Sequence, residues 1–287
     1  MIAVYKKELK SYLTSMMGYI FIFFILLLEG IYFTAYSLQS AYPFFEVTLS
    51  AITVIFLLLV PILTMRIIAE EKRQKTDQML LTYPVSIPEI ILGKYLALGT
   101  VFMIPMAVIC CYPWIMAKYG AVSMAMAYTG IFGFVMLGLA QIAIGMFMSS
   151  LTENPVIAAV TCFIVLFISF MMAGIESLIS DSSMTSLMGY ILVVLVVAGI
   201  IYYMLQNVWI AGGAGVIGVA ALVITYFVDS TIFESSIHKF LEIFNITVHF
   251  DEFANGIFDI QGTVYFLSVI VLFVFLTIQS ITKRRWN

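Results

Sequence analysis

Charge is what this sequence has least of. Only 10% of its 287 residues are Asp, Glu, Lys or Arg, against about 25% in an average soluble domain. With 63% hydrophobic residues, gathered in long charge-free blocks, a water-soluble globule is excluded and a polytopic membrane protein is indicated. Thirteen basic and sixteen acidic residues leave a net charge of −3, so there is no basic field to hold nucleic acid. The three cysteines, Cys110, Cys111 and Cys162, all lie in apolar blocks, which argues against a disulfide framework or a zinc site. Catalytic signatures are missing too. Around Gly93-Lys94, Pro88 stands where a phosphate-binding loop needs its first glycine, and Tyr95 where it needs Ser or Thr. No H-E-x-x-H or G-x-S-x-G occurs, and no Asp pair lies within helical reach in the apolar blocks. The chain is not expected to be an enzyme, and no cofactor of its own is expected.

What is there is a series of apolar runs long enough to cross a bilayer, about 20 residues each. Eight are expected, at roughly 18–39, 47–68, 95–117, 126–150, 155–178, 187–205, 208–228 and 262–282. The sixth and seventh are separated only by Gln206-Asn207 and read alternatively as a re-entrant hairpin, leaving six full spans. The fold class is therefore an all-α transmembrane bundle. Eleven of the thirteen basic residues, Lys6, Lys7, Lys10, Arg66, Lys72, Arg73, Lys75, Lys94, Lys283, Arg284 and Arg285, fall on one side under alternate crossing. The positive-inside rule then makes both termini cytoplasmic. The first run is too long for a signal-peptide core and lacks an A-x-A-like site after it, so an uncleaved span is expected.

Residues 1–17 place Ile2, Tyr5, Leu9, Tyr12, Leu13 and Met16 at three- and four-residue spacing, with Lys6, Lys7 and Lys10 turned away. This is the pattern of an amphipathic helix in the cytoplasmic interface. One transmembrane domain is expected over 18–287. Within it, the cytoplasmic connection at 69–94 carries mixed charge, then the apolar groups Met79-Leu80-Leu81 and Ile90-Ile91-Leu92, broken at Pro84 and Pro88. Such an element suits docking of a soluble partner. On the opposite side, 229–261 holds an apolar stripe of Phe233, Ile237, Phe240, Leu241 and Phe244. An amphipathic segment there, with Phe253 further on, is a candidate gate or contact for an extracytoplasmic partner. Glu29 and Gln141 are polar groups at membrane depth and candidates for a translocation path. A structural hydrogen-bonding role is the alternative for Glu29.

The chain resembles the permease subunits of type-2 ABC exporters, in the branch of gliding-motility and nitrous-oxide-maturation permeases. The likeness rests on Tyr5 to Tyr12, on Pro61 to Arg66 running into Glu70 to Thr76, and on Leu80-Leu81, Pro84-Val85-Ser86 and Gly93-Lys94-Tyr95. Further on it rests on Ser149 to Asn154, Phe250 to Phe253, Gly256 to Asp259 and the closing Lys283-Arg284-Arg285-Trp286. Lys75 departs from the pattern, since such permeases commonly have glycine before the threonine, and Glu29 departs from an apolar or small residue.

The resemblance implies a multi-pass protein of the bacterial plasma membrane whose 69–94 segment is a coupling helix, with Glu70, Glu71, Arg73, Thr76, Leu80, Leu81 and Pro84 facing a separate ATPase subunit. That subunit would bind ATP and Mg. A second permease copy, an auxiliary extracytoplasmic protein and membrane lipids are the other implied partners. Two different readings remain open on the residues: a membrane subunit that transmits force or signals without transporting, and an ion-coupled carrier centred on Glu29.

Overall fold

In lipid, a backbone can satisfy its polar groups only within helices or closed barrels, and every regular element among the described residues is helical. The computed structural model describes residues 1–39, 45–76, 86–118, 120, 122–178, 182–205, 208–228 and 236–286. Helix α1 (Ile2–Thr14) stops at Ser15, whose extended backbone turns the chain into α2 (Met16–Tyr32). The turn is tight. A Cβ at Gly18 would sit 2.4 Å from the Tyr12 carbonyl oxygen, so the corner needs glycine. Of the residues 1–17 expected to form one helix, Ile2–Thr14 do so, and Met16 and Met17 already belong to α2.

Helix α2 continues as a π-helical stretch, Phe33–Gln39. Next come α3 (Phe45–Ile52), a 3-10 turn at Thr53–Ile55, α4 (Phe56–Thr64) and the short α5 (Ala69–Arg73). Then follow α6 (Ile87–Ile109), α7 (Tyr112–Ala117), α8 (Met124–Leu151) and α9 (Pro155–Leu178). The chain closes with α10 (Ser183–Leu205), α11 (Val208–Val228), α12 (Ser236–Glu242), α13 (Val248–Ala254) and α14 (Ile260–Trp286).

Helix starts follow local chemistry. Asn154 Oδ1 accepts from the Val156 N–H at 2.9 Å, just ahead of Pro155, and the Asp259 carboxylate accepts from Gln261 and Gly262. Both are N-caps, the first with proline in the first helical position, where its missing N–H costs nothing. Gly256, at φ +75°, makes the left-handed turn between α13 and α14.

Among the described residues, six stretches are long and apolar enough to cross a membrane: Met16–Gln39, Phe45–Arg73, Ile87–Ala117, Met124–Leu151, Pro155–Leu178 and Ile260–Lys283. These coincide with six of the eight expected spans. The other two expected runs are α10 and α11, apolar helices packed against each other, so what is established is six candidate spans plus this pair.

The described residues divide into two compact units, 1–170 with 246–287, and 171–245. The sequence suggested no such boundary within 18–287. In the larger unit α8 is central, touching α3, α4, α6, α13 and α14. Lipid is as apolar as the side chains, so close fit rather than water exclusion must hold the helices together. Accordingly the glycines of α8 face bulky neighbours: a Cβ at Gly133 would lie 2.4 Å from Phe253, at Gly138 2.3 Å from Phe102, and at Gly145 2.3 Å from Thr64. Phe56 links α4 to α8 and α6, its ring centroid 4.5 Å from that of Phe134 and 5.8 Å from that of Phe102. In the smaller unit, Ile237 of α12 packs on Gly189 of α10, and the Tyr190 hydroxyl donates to the Ser236 carbonyl at 3.0 Å.

Candidate functional site

At the end of the bundle that carries α1, the helical ladder of the second span breaks between Thr64 and Ala69. The break is repaired by a residue from another helix. Ser149, fully buried near the end of α8, accepts from the Ile68 and Ala69 N–H groups at 3.3 and 3.1 Å and donates to the Met65 carbonyl at 3.1 Å. One hydroxyl thereby serves three backbone groups that would otherwise be orphaned. Beside it, the Ser150 carbonyl accepts from the buried Lys72 ammonium and from the Ser280 hydroxyl of α14 at 3.4 Å. A cation at the carbonyl-rich end of α8 is also where the helix dipole favours one.

Helix α5 carries the charges. Glu70 is held within its own segment: Arg66 donates to it from Nε and Nη2 at 2.5 and 2.9 Å, and Gln74 Nε2 at 3.2 Å. Glu71 turns the other way, into the protein. Its Oε1 lies 2.8 Å from Lys94 Nζ of α6 and 3.2 Å from Lys7 Nζ of α1. Lys94 also donates to Glu8 Oε1 and to the Ile67 carbonyl, each at 3.0 Å. Two ammonium groups and two carboxylates therefore form a neutral cluster, and the side chain of Lys94 is 2% exposed. Separating it would strand a buried charge, which costs several kcal/mol per ion.

Partial burial works against the charged form of Lys7, but the carboxylates of Glu71 and Glu8 outweigh it and raise the ammonium above its ordinary value. Burial also lifts the Tyr12 phenol far above its usual range. Tyr12 stays a neutral donor, to the Leu63 carbonyl at 3.0 Å. A cavity of about 470 Å³ adjoins the cluster, lined by Lys7, Ser11, Tyr12, Arg66, Glu70 and Gln74 among others. Thr76 donates to the Glu71 carbonyl at 3.3 Å. Lys75 closes the segment with φ +57°, the only positive φ outside glycine among the described residues.

Of the coupling residues expected from sequence, Glu70, Glu71, Arg73 and Thr76 come together here, with the Arg73 side chain 60% exposed. Leu80, Leu81 and Pro84 lie outside the described residues, as does Phe233. Glu29 (α2) and Gln141 (α8) are buried; both Glu29 oxygens and Gln141 Oε1 lack a hydrogen-bond partner among the described residues. The aromatic groups expected at an external contact are split. Phe240 stands 5.9 Å from Tyr190 and 5.4 Å from Phe244, all in the smaller unit. Phe253 is fully buried in the larger unit against Gly133 and Phe266, which leaves it no free face for a soluble partner.

Glu8, Lys72, Lys94, Ser149 and Ser150 were not singled out as site residues. A signal existed for two of them. Glu8 sits between Tyr5 and Tyr12 on the inward side of α1, and Lys94 is flanked by Ile90-Ile91-Leu92-Gly93 and Tyr95-Leu96-Ala97. Each is a lone charge in an apolar setting, where a hidden counter-charge is the economical explanation.

No curated protein matches the chain. The sequence model of the family described as ABC-2 family transporter protein matches residues 30–278, which covers the six candidate spans apart from the start of the first and the end of the last, together with α5 and the charged cluster apart from the residues of α1. A family match over most of the chain, on a structure with six membrane-length helices among its described residues, places this chain in the ABC-2 transporter family as a transmembrane permease of an ABC transporter.

Proposed function

We propose that the chain is the permease half of an exporter, working as a pair of permease subunits with a separate ATPase subunit docked on each 69–94 segment at the cytoplasmic face. The observation that carries this reading is the build of the junction. Glu71, Lys72 and the 65–69 backbone are tied to α6 and α8 by buried bonds, and Glu71 is joined to α1 through the more exposed Lys7, while Arg73 projects outward. A segment anchored inside and charged outside is suited to pass a push from a soluble partner to the helices.

ATP and Mg belong to that partner, and this chain performs no catalysis. ATP binding closes the two ATPases, draws the two coupling segments together and shifts the bundle towards an outward-open state. On this reading α10 and α11 cross in and out, both termini are cytoplasmic, and the mechanism is that of the gliding-motility and nitrous-oxide-maturation permeases the sequence resembles. The mostly apolar walls favour an amphiphilic cargo over a hydrated ion. The exposed apolar groups Ile243 and Phe244 of the smaller unit favour, as a second reading, an extracytoplasmic partner on which the stroke acts without transport.

The deciding experiment is co-purification with candidate ABC ATPase subunits from the same genome. A stable complex is expected, with Arg73→Glu weakening it about tenfold, or ~1.4 kcal/mol. Failure to associate in nanodiscs, or an Arg73→Glu complex as tight as the parent, would count against docking at this segment.

A further inference from the structure

The molecule holds a device that coupling by docking alone does not require. Lys94 belongs to α6, a membrane-length helix, yet its three N–H donors reach three other stretches of chain: Glu8 of α1 at 3.0 Å, Glu71 of α5 at 2.8 Å, and the carbonyl of Ile67 just beyond α4 at 3.0 Å. An ammonium group has three donors and no more. All are committed, in a setting where the side chain is 2% exposed. Lys7 adds the fourth charge from α1, 3.4 Å from Glu8 and 3.2 Å from Glu71.

Around this centre α1 and α6 touch at backbone distance. A Cβ on Gly93 would lie 3.0 Å from the Met1 carbonyl oxygen and 3.3 Å from Val4 Cβ. One turn and more along, the Tyr5 hydroxyl meets Thr100 Oγ1 at 3.1 Å. A surface ion pair slips easily because water replaces either partner. A buried lysine shared by two carboxylates does not, because parting them leaves charge in an apolar place.

We propose that Lys94 is a positioning residue that binds α1, the coupling segment and α6 into one body, so that displacement of α5 carries α1 with it. This rests on the coupling reading above and goes beyond it. Helix α1 becomes part of the moving lever rather than a fixed anchor at the membrane surface, and the stroke enters the bundle through α6 as well as α4.

The geometry supplies its own probe. Val4→Cys with Gly93→Cys places two thiols across the α1–α6 contact, near the ~3.8 Å Cβ separation of a disulfide, in a background with Cys110, Cys111 and Cys162 replaced. The complex with the ATPase is oxidised in nanodiscs, nucleotide-free and after trapping with ATP and vanadate. With Lys94 present, the cross-linking rate is expected to be the same in both states. In Lys94→Met, and to a lesser degree in Glu8→Gln, which keeps an acceptor in place, the rate should fall severalfold in the trapped state. Stimulation of ATP hydrolysis by the permease should be lost while the KM for ATP and co-purification persist, a split that general misfolding would not produce. A trapped-state rate that falls severalfold with Lys94 in place overturns the proposal, as does a Lys94→Met complex that cross-links and couples like its parent. If no ATPase associates with any form, the coupling reading itself fails and takes this inference with it; if it associates, the cross-link judges Lys94 alone.

Discussion

At the residue scale, three side chains carry expectations that can be measured. Lys75 departs from the glycine usual before the threonine in the permeases the chain resembles, and it is the one non-glycine residue in left-handed backbone among those described. Left-handed backbone costs a side-chain-bearing residue of order 1 kcal/mol that glycine avoids. Lys75→Gly is expected to raise the thermal midpoint in detergent; a lower midpoint would show that the ammonium contributes more than the turn costs.

Tyr12→Phe leaves the buried Leu63 carbonyl without its donor, an expected loss of about 1–3 kcal/mol, read as a lower midpoint with unchanged insertion. For Lys7, neighbouring carboxylates raise the ammonium above the ordinary 10.5. Its contribution is therefore full below that pH and fades as the pH climbs through the raised value. Lys7→Gln should be less stable than the parent at pH 7 to 9, with the gap narrowing in more alkaline buffer. A gap independent of pH would assign the loss to packing.

At the scale of elements, the helices were largely legible because apolar length alone specifies them in lipid. The helical pattern read in 1–17 gives the helix Ile2–Thr14, and the run expected at 155–178 is Pro155–Leu178. What escaped was pairing. Glu8 and Lys94 are 86 positions apart, and nothing in a linear pattern brings an interfacial helix onto the start of the third span. Phe253 escaped for the opposite reason: in the sequence it follows an acidic pair and looks external, but Gly133 opens a socket for it that only the three-dimensional arrangement supplies.

That kind of fit is testable on α8. Gly145→Ala brings a Cβ within 2.3 Å of Thr64 Oγ1, and overpacking of this sort costs about 1–3 kcal/mol. Adding Thr64→Ala should return part of the loss. Strict additivity of the two substitutions in a double-mutant cycle would deny the contact.

At the scale of the whole molecule, the lopsided distribution of lysine and arginine makes a prediction about sidedness. Single cysteines at Lys10, Lys75 and Lys283 should be shielded from a membrane-impermeant reagent in intact cells, and those at Asp251 and Ile257 should be labelled. The reverse pattern would place α5 and its partner surface on opposite sides of the bilayer. The family match covers residues 30–278 and so takes in the 69–94 segment but not α1. The charged cluster joins matched to unmatched sequence, and composition, which marks 69–94 as a charged connection, does not reveal how far inward its bonds run.

The Ser149 hydroxyl gives the second span an unusual mechanical property. A continuous ladder of backbone bonds is stiff, and a plain break is slack; here the gap at 65–69, crossed by the long Ile67–Thr64 and Glu70–Arg66 backbone bonds, is reinforced by an oxygen borrowed from a neighbouring helix. Three of the bonds that hold that joint meet at one atom, so exchanging Ser149 for alanine, threonine or cysteine becomes a graded way to soften or stiffen the spring while the lipid-facing surface stays as it is.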